Sequence, residues 1–206
     1  MSNSKYVDAT SAIQVICCVY KQPSLLDEDG KYFFTEDDFT NDFHRVMFGA
    51  ILNLHQMGSK NLSVKVIEDY LQGHPKSLAV YKTGNGAAWL KEQEQHAELA
   101  SFDYYYSRLK KFTLLRENDR FGLSPKWIYD PDQIFDTKKR EEQEKYLDSL
   151  SLKDIANLIE DGVTKIRRTY IDNSLDESQK IGESIFELIE EFEQIPESGP
   201  PMYGQY

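Results

Sequence analysis

The sequence is poor in the residues and patterns that mark secreted and membrane proteins. Only two cysteines occur among 206 residues. Cys17 and Cys18 are adjacent, a spacing that suits neither a disulfide nor a metal site, so we expect buried free thiols. No apolar run approaches the roughly 18 residues of a membrane-spanning helix, and the first 20 residues lack the pattern of a secretory signal. We therefore expect a cytoplasmic protein without a membrane partner.

The sequence also lacks a recognisable phosphate-binding loop. Its only Gly-Lys pair, Gly30-Lys31, is followed by Tyr32 instead of the serine or threonine that such a loop requires. The turn at Gly84-Asn85-Gly86 has two glycines but does not follow a strand. Both segments are typical of ordinary turns, and we expect no bound cofactor in this chain.

Metal and catalytic signatures are equally scarce. No two of the four histidines have a metal-ligand spacing, which makes zinc binding improbable; they are His44, His55, His74 and His96. His44 could pair with Asp42 as an acid–base pair in a hydrolase, or it could pack within its helix. We predict that the chain contains no catalytic and no metal-binding residue.

The net charge is strongly negative, at −11. The negative charge is concentrated in the last segment, where the stretch from Asp172 to Glu197 contains nine acidic residues and one lysine. This excess excludes a generic nucleic-acid binder that is held by its net charge. Cations alternate with aromatics at 104–112, a mixture that could stack bases. Because those aromatics share one helical face, we predict a core stripe with Arg108 and Lys111 exposed.

Helical periodicity dominates the chain and predicts an all-α fold. Apolar residues at helical spacing predict helices over 8–20, 43–54, 63–71 and from 101 onward, and a short helix at Trp89. Residues 136–150 have helical propensity but are nearly all polar. Glycine and prolines interrupt the period over 121–135, although Trp127, Ile128 and Tyr129 are too apolar for a free loop.

Two amphipathic segments follow. The first begins at Ser151, which resembles a capping box with Asp154, and carries one apolar stripe: Leu152, Ile155, Ile159, Val163 and Ile166. The second carries a narrower seam with spacings of four and three residues: Ile181, Ile185, Leu188, Phe192 and Ile195. Such a seam is typical of a helix that binds another helix or a groove. From periodicity alone, packing within the chain and binding to a neighbour are equally good interpretations.

The order of motifs resembles the N-terminal domain of replicative DNA helicases of the DnaB type. The resemblance covers residues 8–118 and is carried by six segments in the same order: Asp8 to Ile16, Gln22 to Leu26, Asp38-Phe39 with Phe43 to Phe48, Asn61 to Leu71, Gly84 to Leu90, and Tyr105-Tyr106 through Leu114 to Arg116.

The resemblance implies a compact head over 1–118, a helical hairpin over 119–172 and a linker helix with its tail over 173–206. In that family, hairpins pair subunits into dimers within a hexameric ring that encircles single-stranded DNA. Primase and helicase loader contact the collar, and the linker helix docks on an adjacent motor. The seam lies where that linker helix is expected. ATP and Mg would bind in an ATPase domain that this chain lacks, so the resemblance implies either a truncated helicase or the head of a phage-type variant without the motor.

A free-standing all-helical adaptor or scaffold protein of similar architecture is the alternative, and a hydrolase that uses His44 is a third hypothesis. A reading frame that continues past Tyr206 into a Gly-Lys-Ser/Thr loop would favour the helicase. Retained activity after His44→Ala would exclude the hydrolase.

The seam generates a first prediction. Burial of one leucine or phenylalanine contributes roughly 1.5–3 kcal/mol, so Phe192→Ala is expected to weaken docking of the linker helix measurably in the full-length protein. The measurement is the extent of hexamer assembly, monitored by light scattering. Unchanged assembly after deletion of the whole seam would refute its role.

Overall fold

The computed structural model describes residues 5–28, 30–59 and 61–172. Its regular structure there is entirely helical, which confirms the all-α prediction. The helices are α1 (Ala9–Lys21), α2 (Asp42–Gln56), α3 (Val64–Gln72), α4 (Pro75–Thr83), α5 (Gly86–Glu94), α6 (Phe102–Arg120), α7 (Thr137–Ser149) and α8 (Leu152–Arg167). Short 3₁₀ turns lie at Pro23–Asp27, Glu36–Asp38, Leu99–Ser101 and Pro131–Gln133, and a π-helical turn at Arg168–Asp172 follows α8. No described helix is long and apolar enough to cross a lipid bilayer.

Side-chain caps set the starts of the first helices. The Asp8 carboxylate accepts a hydrogen bond from the Ser11 backbone N–H at 3.0 Å. Asn41 caps α2 through the Phe43 N–H, and Ser63 caps α3 through the Val66 N–H. Each cap satisfies a backbone donor that has no partner within the helix. The starts of α1 and α3 therefore agree with the sequence prediction.

The core is built around α1. This helix packs against α6, α2 and α5. Its central residues are almost completely buried, with Val15, Ile16 and Val19 at 0% exposure. Met47 and Ile51 of α2, Ile67 of α3 and Leu109 of α6 complete the same cluster. The apolar periodicity of the sequence identified these faces correctly.

The Gly84-Asn85-Gly86 turn joins α4 to α5 and is shaped by close aromatic packing. Asn85 adopts the left-handed conformation, with φ of 50°. A Cβ atom on Gly86 would lie 2.1 Å from the Tyr81 ring, and one on Gly84 would lie 2.3 Å from the Phe43 ring. Both glycines are therefore required because rings occupy the space of a side chain. This explains the motif as a structural turn.

The chain divides into two compact units, Met1–Ala156 and Asn157–Tyr206. The first unit therefore continues well past residue 118, where the sequence analysis divided head from hairpin. Helix α6 ends in a Schellman motif at Gly122, whose φ is +80°. The chain then turns back toward α6. Ile128 and Tyr129 are buried there, and the ring centroids of Tyr129 and Phe112 of α6 are 5.1 Å apart.

The two cysteines of α1 provide a test of the core. Both side chains are buried, and burial raises the pKa of Cys17 to about 12 and that of Cys18 to about 11. Only a thiolate reacts readily, so we expect neither thiol of the native protein to react with DTNB at neutral pH. Both are expected to react in guanidinium chloride. Rapid native reaction of either thiol would contradict the packing of α1.

Candidate interaction surfaces

Helix α8 carries the first predicted interaction stripe, and its start is set by a reciprocal cap. The Ser151 N–H donates to the Asp154 carboxylate at 2.8 Å, and the Asp154 N–H donates to Ser151 Oγ at 3.1 Å. The predicted capping box is thus confirmed. It fixes the residue at which the polar connection ends and the amphipathic helix begins.

The stripe on α8 changes from buried to exposed along the helix. Ile155 is completely buried, while Leu152 and Ile159 are half-buried. Val163 is 48% exposed, Ile166 61% and Tyr170, in the π-helical turn, 80%. The second half of the stripe therefore presents large apolar side chains to solvent. Exposed apolar side chains aligned on one helical face are typical of a surface that binds another protein.

The second predicted surface, the seam of Ile181, Ile185, Leu188, Phe192 and Ile195, lies outside the described residues. Its docking role remains a prediction.

Helix α7 is attached to the rest of the first unit mainly by polar side chains. Leu147 is its one buried residue. Arg108 of α6 binds three carboxylates, with Nε 2.6 Å from Asp8, Nη2 2.6 Å from Glu144 and Nη1 2.8 Å from Asp148. The same guanidinium thus joins the cap of α1 to two turns of α7.

Burial disfavours the charge on Arg108, whose side chain is only 11% exposed. Hydrogen bonds to Asp8 and Glu144 outweigh that cost and raise the pKa of Arg108 above its ordinary value. The expectation that Arg108 is exposed was wrong. The carboxylates that surround Arg108 belong to residues 8, 144 and 148. These residues are distant from α6 in sequence, so no local sequence pattern indicated the contacts.

Lys111 makes a second link between α6 and α7. Its Nζ donates to the Leu147 carbonyl at 2.9 Å and to the Asp148 carbonyl at 3.3 Å. The side chain is buried, which lowers its pKa. A cation at the carboxyl end of a helix satisfies carbonyls that have no partner within the helix. The expectation that Lys111 is exposed was therefore also wrong.

The histidine that the sequence suggested as an acid–base residue lies in an aromatic environment. The His44 ring is 6.0 Å from the Trp89 ring and 6.0 Å from the Phe43 ring. Burial lowers the pKa of His44. Asp42 instead forms an ion pair with Arg45 at 3.2 Å. The structure does not bring His44 and Asp42 together as a pair.

The structure does show a His–Asp contact that the sequence analysis missed. His55 Nε2 lies 2.7 Å from Asp27 Oδ1. Asp27 is in the 3₁₀ turn after α1, and His55 is in the last turn of α2. The contact depends on the packing of α1 against α2, so the spacing in sequence gives no sign of it. Within the described residues, no group of three His, Cys, Asp or Glu side chains could hold a metal ion.

A groove of about 510 Å³ lies beside α2 and is lined in part by the core residues Phe48, Ala50 and Leu71. Phe34, Phe39 and Leu52 supply apolar walls, and Arg45 supplies a cation. The groove could accept an apolar side chain of a partner. Nothing in the periodicity of the sequence indicated it, because its walls come from α2, α3, α4 and the loop before α2.

One curated protein of similar sequence is from Bacillus subtilis (strain 168). It is the SPbeta prophage-derived uncharacterized protein YorI, which is 33% identical over 198 residues. The match covers 96% of this chain, but the chain spans only 39% of the length of that relative. No protein-family profile matches the chain, and no solved structure matches it significantly.

The Arg108 contacts generate a stability prediction. Loss of one partner of a buried ion pair leaves the other charges uncompensated and costs about 3–5 kcal/mol. We therefore expect Arg108→Ala to lower the free energy of unfolding by roughly that amount in urea denaturation. Arg120→Ala is the matched control, because Arg120 forms an exposed ion pair with Glu117 at 2.8 Å that contributes at most about 1 kcal/mol. Equal losses in the two variants would contradict the proposed role of Arg108.

Proposed function

We propose that this chain is the N-terminal oligomerisation and partner-binding domain of a hexameric replicative DNA helicase of the DnaB type. The observation that carries the proposal is the uncovered half of the α8 stripe, at Val163, Ile166 and Tyr170. In this proposal α8 pairs with the same helix of another subunit, and the pairs build the collar of the ring.

The positions of the six motif segments in the fold support the resemblance. Asp8 opens α1, Asp38-Phe39 leads into α2, and the glycine turn positions Trp89-Leu90 on α5. Asp38 is buried, and its carboxylate accepts hydrogen bonds from Lys110 at 2.9 and 3.0 Å. This buried pair thus joins two of the segments that carry the resemblance, the one that leads into α2 and the one on α6.

The comparison with the prophage protein supports the proposal in a further way. That relative is longer than this chain, since the match spans 39% of it. A head domain that precedes a motor domain would leave such an unmatched remainder. We place the ATP and Mg site in a domain outside this chain, and unwinding of duplex DNA in the full-length protein.

The partners of the proposed helicase follow from its role in DNA replication. Primase and a helicase loader would contact the collar, and single-stranded DNA would pass through the full-length ring. Such a protein acts in the cytoplasm. The sequence of the parent gene distinguishes the helicase from a free-standing adaptor. A reading frame that encodes a phosphate-binding loop after residue 206 supports the helicase. A stop codon at that point contradicts it.

The pairing step generates a prediction on the full chain. We expect light scattering to give a dimer or a larger species, and Ile166→Glu to shift the chain toward monomer, because a carboxylate cannot be buried without a partner. Exposed positions tolerate such changes within about 0.5 kcal/mol of stability, so circular dichroism should be unchanged.

Phe135→Glu is the matched control, since Phe135 is 91% exposed in the loop before α7. This variant should keep the oligomeric state of the unsubstituted chain. A strictly monomeric unsubstituted chain would refute self-association, and a loss of association in Phe135→Glu alone would assign it to another surface.

A further inference from the structure

The exposed half of the α8 stripe has a counterpart in the seam, whose pattern is known from the sequence alone. Counted backward from the end of the stripe, four apolar residues are separated by four, three and four positions: Tyr170, Ile166, Val163 and Ile159. Counted forward, the first four seam residues have the same separations: Ile181, Ile185, Leu188 and Phe192. The two apolar patterns are therefore mirror images of each other along the chain.

A mirror-image pattern is what an antiparallel helical hairpin requires. When a chain folds back on itself, residues at equal distances before and after the turn lie at the same level along the hairpin. The mirror point falls between Leu175 and Asp176. Eight residues, from Asn173 to Lys180, separate the π-helical turn from the first seam residue, and connections of about two to eight residues are usual between packed helices. The seam is thus placed to reach the stripe.

The charges favour such a hairpin at its turn end and oppose it at its far end. Near the turn, two exposed cations of α8 fall at the levels of two acids of the seam segment: Lys165 with Glu187, and Arg168 with Glu183. Farther from the turn, acids fall at the levels of acids: Glu160 with Glu191, and Asp161 with Glu190. The charged residues at the start of α8 lie beyond the level of the last seam residue: Lys153 and Asp154. The electrostatic attraction is therefore strongest next to the most exposed part of the stripe.

We propose that the seam folds back on α8 of its own chain and covers the exposed half of the stripe in an antiparallel hairpin. This inference rests on the proposed function, because the surface that the seam covers is the one assigned there to self-association. The seam and a second copy of α8 then compete for the same apolar face. In the full-length protein, docking of the seam on a neighbouring motor would uncover α8 for pairing. The seam is thus an autoinhibitory segment that links the two steps of assembly.

Disulfide formation within one chain is the first test. A disulfide requires Cα atoms within about 7 Å, and Val163 and Leu188 share one level of the hairpin. We expect the double variant Val163→Cys/Leu188→Cys to form an intramolecular disulfide when the dilute full chain is oxidised. Non-reducing gel electrophoresis would show it as a faster monomer band. Cys17 and Cys18 are buried and should not interfere.

Asp161→Cys/Leu188→Cys is the matched control. Position 161 is two residues from Val163 and so lies on the opposite face of α8, where no intramolecular disulfide is expected. Equal cross-linking of the two double variants, or none in either, would overturn the hairpin. A disulfide that joins only separate chains would place the seam on α8 of a second copy and overturn it as well.

Competition for the stripe is the second test. Leu188→Glu disfavours the hairpin, because a carboxylate cannot be buried without a partner. If the stripe is covered in about nine of ten chains, only about one tenth can pair, so uncovering it strengthens association about tenfold or more. We expect this increase in sedimentation equilibrium of the full chain. Phe186→Glu is the matched control, since position 186 lies away from the seam on the same helical period, and it should leave association unchanged.

The two tests separate this inference from the proposed function. An intramolecular disulfide in a chain that stays monomeric, even as Leu188→Glu, supports the hairpin and refutes self-association. Association that Leu188→Glu leaves unchanged, with no intramolecular disulfide, overturns the hairpin while self-association stands. A weaker dimer in Leu188→Glu would make the seam part of the interface between copies and overturn the inference.

Discussion

A guanidinium buried among three carboxylates is tolerated only where every partner is held in place. Removing such charges from water costs several kcal/mol per ion, which the ion pairs and hydrogen bonds must offset. Arg108 meets this condition because Asp8 is fixed at the start of α1 and because Glu144 and Asp148 lie one turn apart on α7. The position of α7, and hence the place where Ser151 starts α8, depends in part on this side chain, together with Lys111 and the buried Leu147.

The exposed apolar side chains in the second half of α8 connect this architecture to the proposed function. Ile155 is buried at the start of α8, yet Ile166 is largely exposed three turns later. The free energy available from covering Val163 and Ile166 is of the order of a few kcal/mol per copy. That amount suits the reversible pairing of two copies that is proposed for this helix.

Local patterns predicted most of the helices and several of their caps, but neither helix α4 nor the contacts that fix α7. Asp8, Ser63 and the Ser151–Asp154 box act within four residues, so their spacing identifies them. The Arg108–Asp8 contact joins residues 100 positions apart, and the His55–Asp27 contact joins residues 28 apart. Such contacts follow from how helices pack. The apolar stripe of α8 was visible in the sequence, whereas its gradient of exposure was not, because periodicity does not report which residues tertiary packing covers.

The attachment of α7 through charges also sets how the first unit can open. One buried leucine and several polar contacts, among them those of Arg108, Lys111 and Tyr129, hold this helix, whereas α1 is enclosed by apolar side chains on nearly every side. Local unfolding starts in segments with few buried apolar contacts. Backbone amides of α7 should therefore exchange with solvent deuterium far sooner than those of α1. Because Leu150-Ser151 follows directly, each opening of α7 would also release the start of α8 while the core stays folded.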